Sequence, residues 1–272
     1  MNELVVNDLI QLTFPTGKAH VSFSEVGDWV KCPYRHYKKH VQKIDLGTPA
    51  PVLEFGTAVH ASCENFIKTR VMDMSPAIEH IRAKWKEYDG KFGFIKIDEW
   101  EAKAHAILAE VSSFINDEFP GWETVEAEEL LYESIPSHDL KFKGYIDAVI
   151  KVKNKKGKIQ YWLLDWKTTS WGWSRLKLQD FMTSAQLIMY KTFWAAKHQV
   201  PMPDIRTGFV LLKKDGKTGS RCQLIPVSVG PKTSVRAKKI IENMINSVQK
   251  GIKLKNRNSC TYCEYSGTEH CT

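Results

Sequence analysis

A hairpin with an acidic residue inside each arm is the feature that most constrains the fold of this 272-residue chain. Apolar stretches at 141–153 and 158–168 predict two strands, and the polar run 154–157 between them, which ends in glycine, predicts a tight turn. Asp147 and Asp165 interrupt these apolar stretches, although aspartate is depleted in strands and costly to bury. Two such exceptions on neighbouring strands indicate a functional reason.

The predicted pairing brings these two carboxylates together. With the turn centred near Lys155–Lys156, Asp147 and Asp165 lie opposite or nearly opposite each other, about 5 Å apart at Cβ. Like charges at this distance repel unless a cation lies between them, and Mg²⁺ with oxygen ligands at about 2.1 Å fits the gap. Lys167 follows Asp165 by two residues, so it points to the same face and can orient a metal-bound water. The alternative is an exposed Asp–Lys pair at a strand end.

The order of the remaining elements predicts a mixed α/β fold, with a mixed central sheet flanked by helices. Helical patterns occur at 22–45, 55–70, 76–88, 97–118, 179–198 and 231–250, and strand patterns at 125–135, 206–213 and 221–229. Ser24 is the predicted cap of the first helix. We expect three segments: an N-terminal helical region (1–121), a core (122–255) and a cysteine-rich tail (256–272).

Composition excludes several classes of protein. Hydrophobic residues make up 43% and charged residues 26%, which is typical of a folded globular chain. No apolar run reaches the about 18 residues of a membrane span, and the first residues lack the pattern of a secretory signal, so we expect a cytoplasmic protein. The formal net charge of +8 is compatible with a polyanionic partner such as DNA.

Cysteine spacing indicates a metal centre in the tail. Cys260, Cys263 and Cys271 lie within twelve residues of a polar segment, and Cys32 occurs far upstream. Thiolates at this spacing can bind one metal centre with a fourth ligand from elsewhere in the chain. Zinc is one candidate, in which case His270 could replace one cysteine, and an iron–sulfur cluster is the other.

Together these residues resemble the PD-(D/E)XK nuclease superfamily, in its RecB-like and Cas4-like branch. The core of the resemblance is Gly144-x-x-Asp147 followed by Asp165-Trp166-Lys167-Thr168. The family also carries Gly-x-x-x-His and Gln-x-x-x-Tyr motifs, which Gly56 to His60 and Gln186 to Tyr190 match.

The resemblance implies a role for each matching residue. It implies that His60, Asp147, Asp165 and the carbonyl of Trp166 bind Mg²⁺ or Mn²⁺, and that Lys167 positions the attacking water. Gln186 and Tyr190 are then expected to contact the DNA strand.

The resemblance also favours a [4Fe–4S] cluster over zinc. Members of this branch hold the cluster with one N-terminal cysteine and a C-terminal trio, and Cys32-Pro33 with Cys260, Cys263 and Cys271 is similar to that arrangement. The gap of seven residues before Cys271 is longer than usual for the family. The other two cysteines are expected to be ordinary buried thiols.

The implied activity is a divalent-metal-dependent DNA exonuclease that acts on single-stranded DNA or DNA ends in recombination, repair or phage DNA metabolism. Trp171, Trp173 and Arg175 follow the lysine strand and are candidates for stacking and phosphate contacts. A structure-specific or sequence-specific endonuclease on the same core is an alternative. A non-catalytic DNA-binding protein with a metal cluster is another, although it leaves Asp147 and Lys167 unexplained.

Overall fold

The computed structural model describes residues 14–47, 50–88 and 96–272, and it has the mixed α/β fold predicted from the sequence. The strands are β1 (His20–Ser22), β2 (Glu123–Ser134), β3 (Lys141–Lys153), β4 (Ile159–Thr169), β5 (Ile205–Lys213) and β6 (Cys222–Val227). The helices are α1 (Phe23–Lys31), α2 (Pro33–His36), α3 (Pro51–Thr69), α4 (Ser75–Tyr88), α5 (Ile97–Glu118), α6 (Arg175–Gln179), α7 (Phe181–His198) and α8 (Pro231–Gln249). No helix in the described ranges is long and apolar enough to cross a membrane.

The central sheet is mixed, as expected. Its strand order is β1-β3-β4-β5-β6, and β2 also pairs with β3. β1 runs parallel to β3 and β4 runs parallel to β5, whereas β3–β4 and β5–β6 are antiparallel. The predicted hairpin joins β3 to β4, and Gly157 in its turn has the positive φ of +76° that favours glycine.

The first predicted helix is wrong in its extent, because the segment 22–45 is broken. α1 ends at Lys31, Cys32 is extended (φ −163°, ψ 112°), and α2 restarts at Pro33 before a π-helical turn over Tyr37–Val41. Proline disfavours helical backbone in the residue that precedes it, which explains the break at Cys32. The cap is Ser22 and not Ser24, since the Ser22 side chain accepts a hydrogen bond from the Glu25 N–H (3.3 Å).

The chain divides into two compact units. We name them the sheet unit, within residues 49–129 and 145–229, and the cysteine unit, within residues 1–48, 130–144 and 230–272. The three consecutive segments expected from the sequence stay a prediction.

The sheet unit has a core between the helices α3, α4 and α5 and one face of its strands. Trp166, Leu164 and Ala148 are buried in this core with Phe55 and Leu108 from the helices. Since strand side chains alternate, the residues between them on β3 and β4 face the opposite side. This alternation puts Asp147, Asp165 and Lys167 on one common face.

Candidate active site

The register of the hairpin sets the two aspartates against each other. Ala148 and Leu164 are the last paired residues of β3 and β4. The next residue is Asp147 on β3 and Asp165 on β4. Both are buried, with 9% and 1% of their surface exposed. Carboxylates placed this deeply need compensating partners.

Each aspartate has a compensating partner on β4. The Trp166 main-chain N–H donates a hydrogen bond to Asp147 Oδ2 at 2.7 Å, just beyond the last main-chain pairing of the two strands. Lys167 Nζ forms an ion pair with Asp165 Oδ2 at 2.6 Å, and no donor in the described ranges makes an aligned hydrogen bond to this buried oxygen. The ammonium therefore lies beside the acidic pair, on the face predicted from the alternation.

The lysine side chain is partly accessible from outside. About one third of it is exposed (34%), whereas the Asp165 side chain is 2% exposed. Although burial opposes the charge on Lys167, the Asp165 and Asp147 carboxylates raise its pKa above the ordinary value. A charged lysine at the rim of the site can contact an anionic substrate from solvent.

Helix α3 brings His60 to the same site. Its Nδ1 atom lies 3.6 Å from Asp147 Oδ2. Burial lowers the pKa of the imidazole to about 4, and the Lys167 charge acts in the same direction, although Asp165 and a hydrogen bond with the Trp166 main chain oppose it. The imidazole is therefore neutral near pH 7, the form that can bind a metal.

Gly56 explains how α3 approaches β4 so closely. A Cβ atom at this position would lie 3.2 Å from Thr168 Oγ1, closer than ordinary van der Waals contact. Glycine is therefore the residue that lets the first turns of α3 lie against the end of the lysine strand. His60 follows one turn later on the same face of the helix.

Burial and mutual repulsion raise the pKa of Asp147. Desolvation is the larger cause, and the Asp165 charge is the second, so the pKa lies well above the ordinary value. A pair of facing carboxylates with this repulsion binds cations readily, since a divalent ion would remove it.

The Gln-x-x-x-Tyr motif lies on α7, as predicted. Gln186 Nε2 donates to the Tyr190 hydroxyl at 3.1 Å, and the tyrosine is buried. Burial and the nearby Asp165 charge raise the Tyr190 pKa, so the hydroxyl stays protonated at neutral pH. The motif thus presents neutral hydrogen-bonding groups near the acidic pair.

A buried glutamate that the sequence did not single out anchors α7. Glu129, in the middle of β2, is 5% exposed. It accepts hydrogen bonds from Trp194 Nε1 (2.6 Å) and Lys197 Nζ (2.9 Å), and His198 Nε2 lies 2.5 Å from it. These partners outweigh burial and lower the Glu129 pKa. One carboxylate on β2 thus fixes the carboxyl end of the helix that carries the motif.

The neighbouring Glu128 is a second residue that the sequence did not reveal. Its φ of +53° is in the left-handed region, which is costly for a residue other than glycine. Burial raises its pKa, and the Glu64 and Asp165 charges add to this effect. Only the run of glutamates within a strand pattern could have drawn attention to it.

The candidate DNA-contact residues lie on and just before α6. Trp171 is 64% exposed, and Arg175 is also exposed. Trp173 packs against Phe209, with ring centroids 5.0 Å apart, while Lys177 Nζ lies 4.4 Å from the Trp173 ring centroid. Trp173 is therefore half-buried, whereas Trp171 is available for stacking.

The site suits a hard divalent cation by the chemistry of its donors. Its two carboxylates, one of which has a buried oxygen without an aligned hydrogen bond, are typical ligands of such a cation, and the neutral imidazole beside them is a nitrogen donor. Within the described ranges, however, no three His, Cys, Asp or Glu side chains converge as a complete metal site. Main-chain oxygen, water or substrate would have to complete the coordination.

The cysteine unit contains a cavity of about 120 Å³ lined by all four of the predicted cysteine ligands. These residues are Cys32, Cys260, Cys263 and Cys271, and no cysteine of the chain forms a disulfide. The main-chain N–H of Asn256 donates to Cys32 Sγ at 3.3 Å. The thiols thus fit a sulfur-bound metal centre by donor type, although they too do not converge to metal-binding distance.

Side-chain contacts hold the two ends of this unit together around the cavity. Arg35 pairs with Glu264 (3.0 Å) and with Asp28 (3.4 Å). The Tyr265 hydroxyl donates to the Ile44 carbonyl at 2.7 Å. Cys63 and Cys222 lie outside this group, in or against the core of the sheet unit.

Comparisons with known proteins bear on the fold and on the family of this chain. A candidate exonuclease from Eubacterium rectale has a crystal structure that aligns with 97% of this chain and 93% of its own, with a TM-score of 0.57 and 14% identity. The crystal structure of SSO0001 aligns with 89% of this chain and 93% of its own at 15% identity, with a TM-score of 0.35, which is too low to indicate a common fold. A search of curated proteins finds no match. The family model of the PD-(D/E)XK nuclease superfamily matches residues 20–268, and the chain therefore belongs to that superfamily.

Proposed function

We propose that the protein is a Mg²⁺- or Mn²⁺-dependent DNA exonuclease of the RecB-like, Cas4-like type. The observation that carries this proposal is the common face of Asp147, Asp165 and Lys167, with the His60 imidazole 3.6 Å from Asp147. Membership of the nuclease superfamily supports a phosphodiester substrate, and the net charge of +8 favours DNA as the partner.

In the proposed mechanism, His60, Asp147, Asp165 and the carbonyl of Trp166 hold the divalent ion. The ion would lower the pKa of a bound water and polarise the scissile phosphate. The Lys167 ammonium orients the attacking water and stabilises the negative charge that develops on the phosphate. Hydrogen bonding by the Trp166 N–H keeps the Asp147 carboxylate oriented toward the site.

The substrate strand would be held by groups on and near α6 and α7. Exposed Trp171 offers a stacking surface, while Trp173 and Arg175 flank the same segment. Gln186 and Tyr190 present neutral amide and hydroxyl groups to the sugar–phosphate backbone. This combination favours single-stranded DNA or frayed ends over an intact duplex.

We further propose that Cys32, Cys260, Cys263 and Cys271 bind a [4Fe–4S] cluster, with zinc as the alternative. The shared cavity of about 120 Å³ supports this assignment. The cluster would be structural, because it would tie the first helices to the tail. The protein would act in the cytoplasm, or the host cytoplasm if phage-encoded, in DNA recombination, repair or phage DNA metabolism.

The test compares linear and closed circular DNA, each supplied with Mg²⁺ or Mn²⁺. We expect the parent protein to degrade end-labelled linear DNA and to leave the circle intact, and Asp165→Asn to remove the activity without unfolding the chain. Cutting of the circle would assign an endonuclease instead. Binding without cleavage in either metal would show that the protein is not a nuclease.

A further inference from the structure

Positive charge is concentrated in the cysteine unit. This unit contains 16 Lys and Arg against 10 Asp and Glu, whereas the sheet unit contains 23 against 21. Most of the basic excess is therefore in the unit that does not carry the acidic pair. An excess of charged residues is often no more than a solvent-exposed surface. The arrangement of these residues therefore decides what the unit can bind.

The arrangement alternates lysines with aromatic rings. Lys38 Nζ and Lys255 Nζ lie 5.1 and 5.0 Å from the centroid of the Tyr34 ring. Lys253 Nζ lies 4.2 Å from the Tyr37 ring, and the two tyrosine rings are 6.2 Å apart. We call these five residues the tyrosine–lysine stripe.

An irregular segment of backbone forms one side of the stripe. Residues 252–256 have no helix or strand, and they lie along α2, where the Tyr34 N–H donates to the Leu254 carbonyl at 3.1 Å. Leu254 is 70% exposed between the two lysines of this segment. The segment thus exposes to solvent an apolar side chain that is flanked by two positive charges.

The lysines of the stripe keep their charge available. No Asp or Glu side chain within the described ranges forms an ion pair with Lys38, Lys253 or Lys255. Lys255 Nζ donates one hydrogen bond to the main-chain oxygen of Thr272 (2.8 Å), which leaves its other donors free for a ligand. Ammonium groups next to aromatic rings are suited to a ligand that combines phosphates with planar bases.

We propose that the tyrosine–lysine stripe binds single-stranded DNA, as a contact surface separate from the residues around α6 and α7. The lysines contact phosphates, and the tyrosine rings with Leu254 contact bases. This proposal rests on the proposed nuclease function for the identity of the ligand. An acidic protein segment would use the lysines but would gain little from the rings.

The test measures binding of a fluorescent oligothymidine to the full chain by anisotropy, without divalent ions, so that the result does not depend on cleavage. Each phosphate contact to a single strand contributes about 0.7 to the slope of log affinity against log salt. We expect the double variant Lys253→Ala/Lys255→Ala to bind more weakly, with a slope smaller by about 1.4. Tyr37→Leu should weaken binding about fivefold with an unchanged slope.

The matched control is Lys232→Ala/Lys238→Ala, which removes two exposed lysines from α8 in the same unit. Equal slopes and affinities in the two double variants would overturn the proposal, because net charge alone would then explain binding. A polyglutamate peptide that displaces the oligonucleotide as well as unlabelled DNA does would also overturn it and assign the stripe to an acidic protein. A stripe-specific loss of DNA binding would support the proposal even if no nuclease activity is found.

Discussion

The main-chain N–H of Trp166 donates its hydrogen bond to the side chain of Asp147, at 2.7 Å, at the point where the β3–β4 ladder ends. Asp147 therefore has a structural role that is separable from its charge. Asp147→Asn keeps an oxygen acceptor and removes a carboxylate whose pKa is raised by burial and by repulsion from Asp165. We expect this variant to be at least as stable as the parent in metal-free buffer, with cleavage lowered roughly 10³-fold.

Asp147→Ala separates the two roles, because it leaves the buried Trp166 N–H without its acceptor. It should be less stable than Asp147→Asn by about 1–3 kcal/mol. Urea unfolding of both variants in metal-free buffer checks this. Equal stability of the two would mean that the hydrogen bond contributes nothing.

Gly56→Ala should disturb the site through packing. The added methyl group would meet Thr168 Oγ1 at 3.2 Å, and overpacking of this kind costs about 1–3 kcal/mol. Since α3 carries His60, a shift of the helix should also lower cleavage. Thr168→Ala in the same chain should restore part of the lost stability.

Gly27→Ala is the matched control for this substitution. Gly27 also lies within a helix, but nothing is within 4 Å of a Cβ atom there. It should be neutral or stabilising by about 0.5–1 kcal/mol, since alanine favours helix. A similar loss of stability in Gly27→Ala and Gly56→Ala would contradict the close approach of α3 and β4.

Glu129→Gln should loosen α7. The substitution removes the charge that holds Lys197 and His198 and weakens the acceptor of Trp194 Nε1. We expect the free energy of unfolding to fall by about 2–4 kcal/mol at pH 7. Glu118→Gln, at an exposed position, should change it by less than about 0.5 kcal/mol.

The same carboxylate should make stability depend on pH. Its pKa is lowered in the folded protein, so its contribution is present above the unfolded value and is lost as the pH falls through the folded one. Chemical denaturation as a function of pH should therefore show that the free energy of unfolding falls less steeply with acidification in Glu129→Gln than in the parent protein. An unchanged acid profile would mean that the contacts of Glu129 contribute no stability.

His60 should remain neutral in mildly acidic buffer. Its folded pKa of about 4 lies below the ordinary 6.5, so its contribution to stability is present above 6.5 and is lost as the pH falls toward 4. NMR titration of the metal-free protein should show no His60 transition near pH 6.5, and urea-unfolded protein should show one. A folded-state transition near 6.5 would contradict the burial of this imidazole.

Removal of one cysteine of the cavity should reduce bound metal. Cys32→Ser and Cys260→Ser each remove a thiol from the shared cavity, whereas Cys222→Ser lies outside it. Iron and zinc analysis, with the visible absorption spectrum, should show loss in the first two variants only. Iron with visible absorbance would support the cluster, and zinc without colour would support the alternative. Equal metal content in all three variants would contradict the assignment.

Local sequence was enough to predict the hairpin and the faces of its residues. The turn at 154–157 fixes the pairing of β3 with β4, and the period of two along a strand then determines the face on which Asp147, Asp165 and Lys167 lie. These relations depend only on residues that are close in the chain. The residues of the turn and the alternation of side chains along each strand are therefore enough to predict them.

Other features depend on contacts between distant segments and could not be predicted from local pattern. Glu129 meets Trp194 from 65 positions away, and the approach of Gly56 to Thr168 joins a helix to a strand late in the chain. Nothing near Glu128 in the sequence indicates its left-handed backbone. The break at Cys32, in contrast, follows from a local signal, because Pro33 disfavours helical backbone in the residue that precedes it.

The cavity lined by Cys32 and the tail cysteines also has a consequence for biosynthesis. Residues near Cys32 leave the ribosome long before Cys260, Cys263 and Cys271 are translated, so the cavity cannot close until these three cysteines have emerged. The segments of the sheet unit end at residue 229, so all of them are translated before Cys260. A nascent chain therefore contains both aspartates of the acidic pair before it contains the cysteines that line most of the cavity, and a chain that terminates before Cys260 lacks three of the four cysteines there.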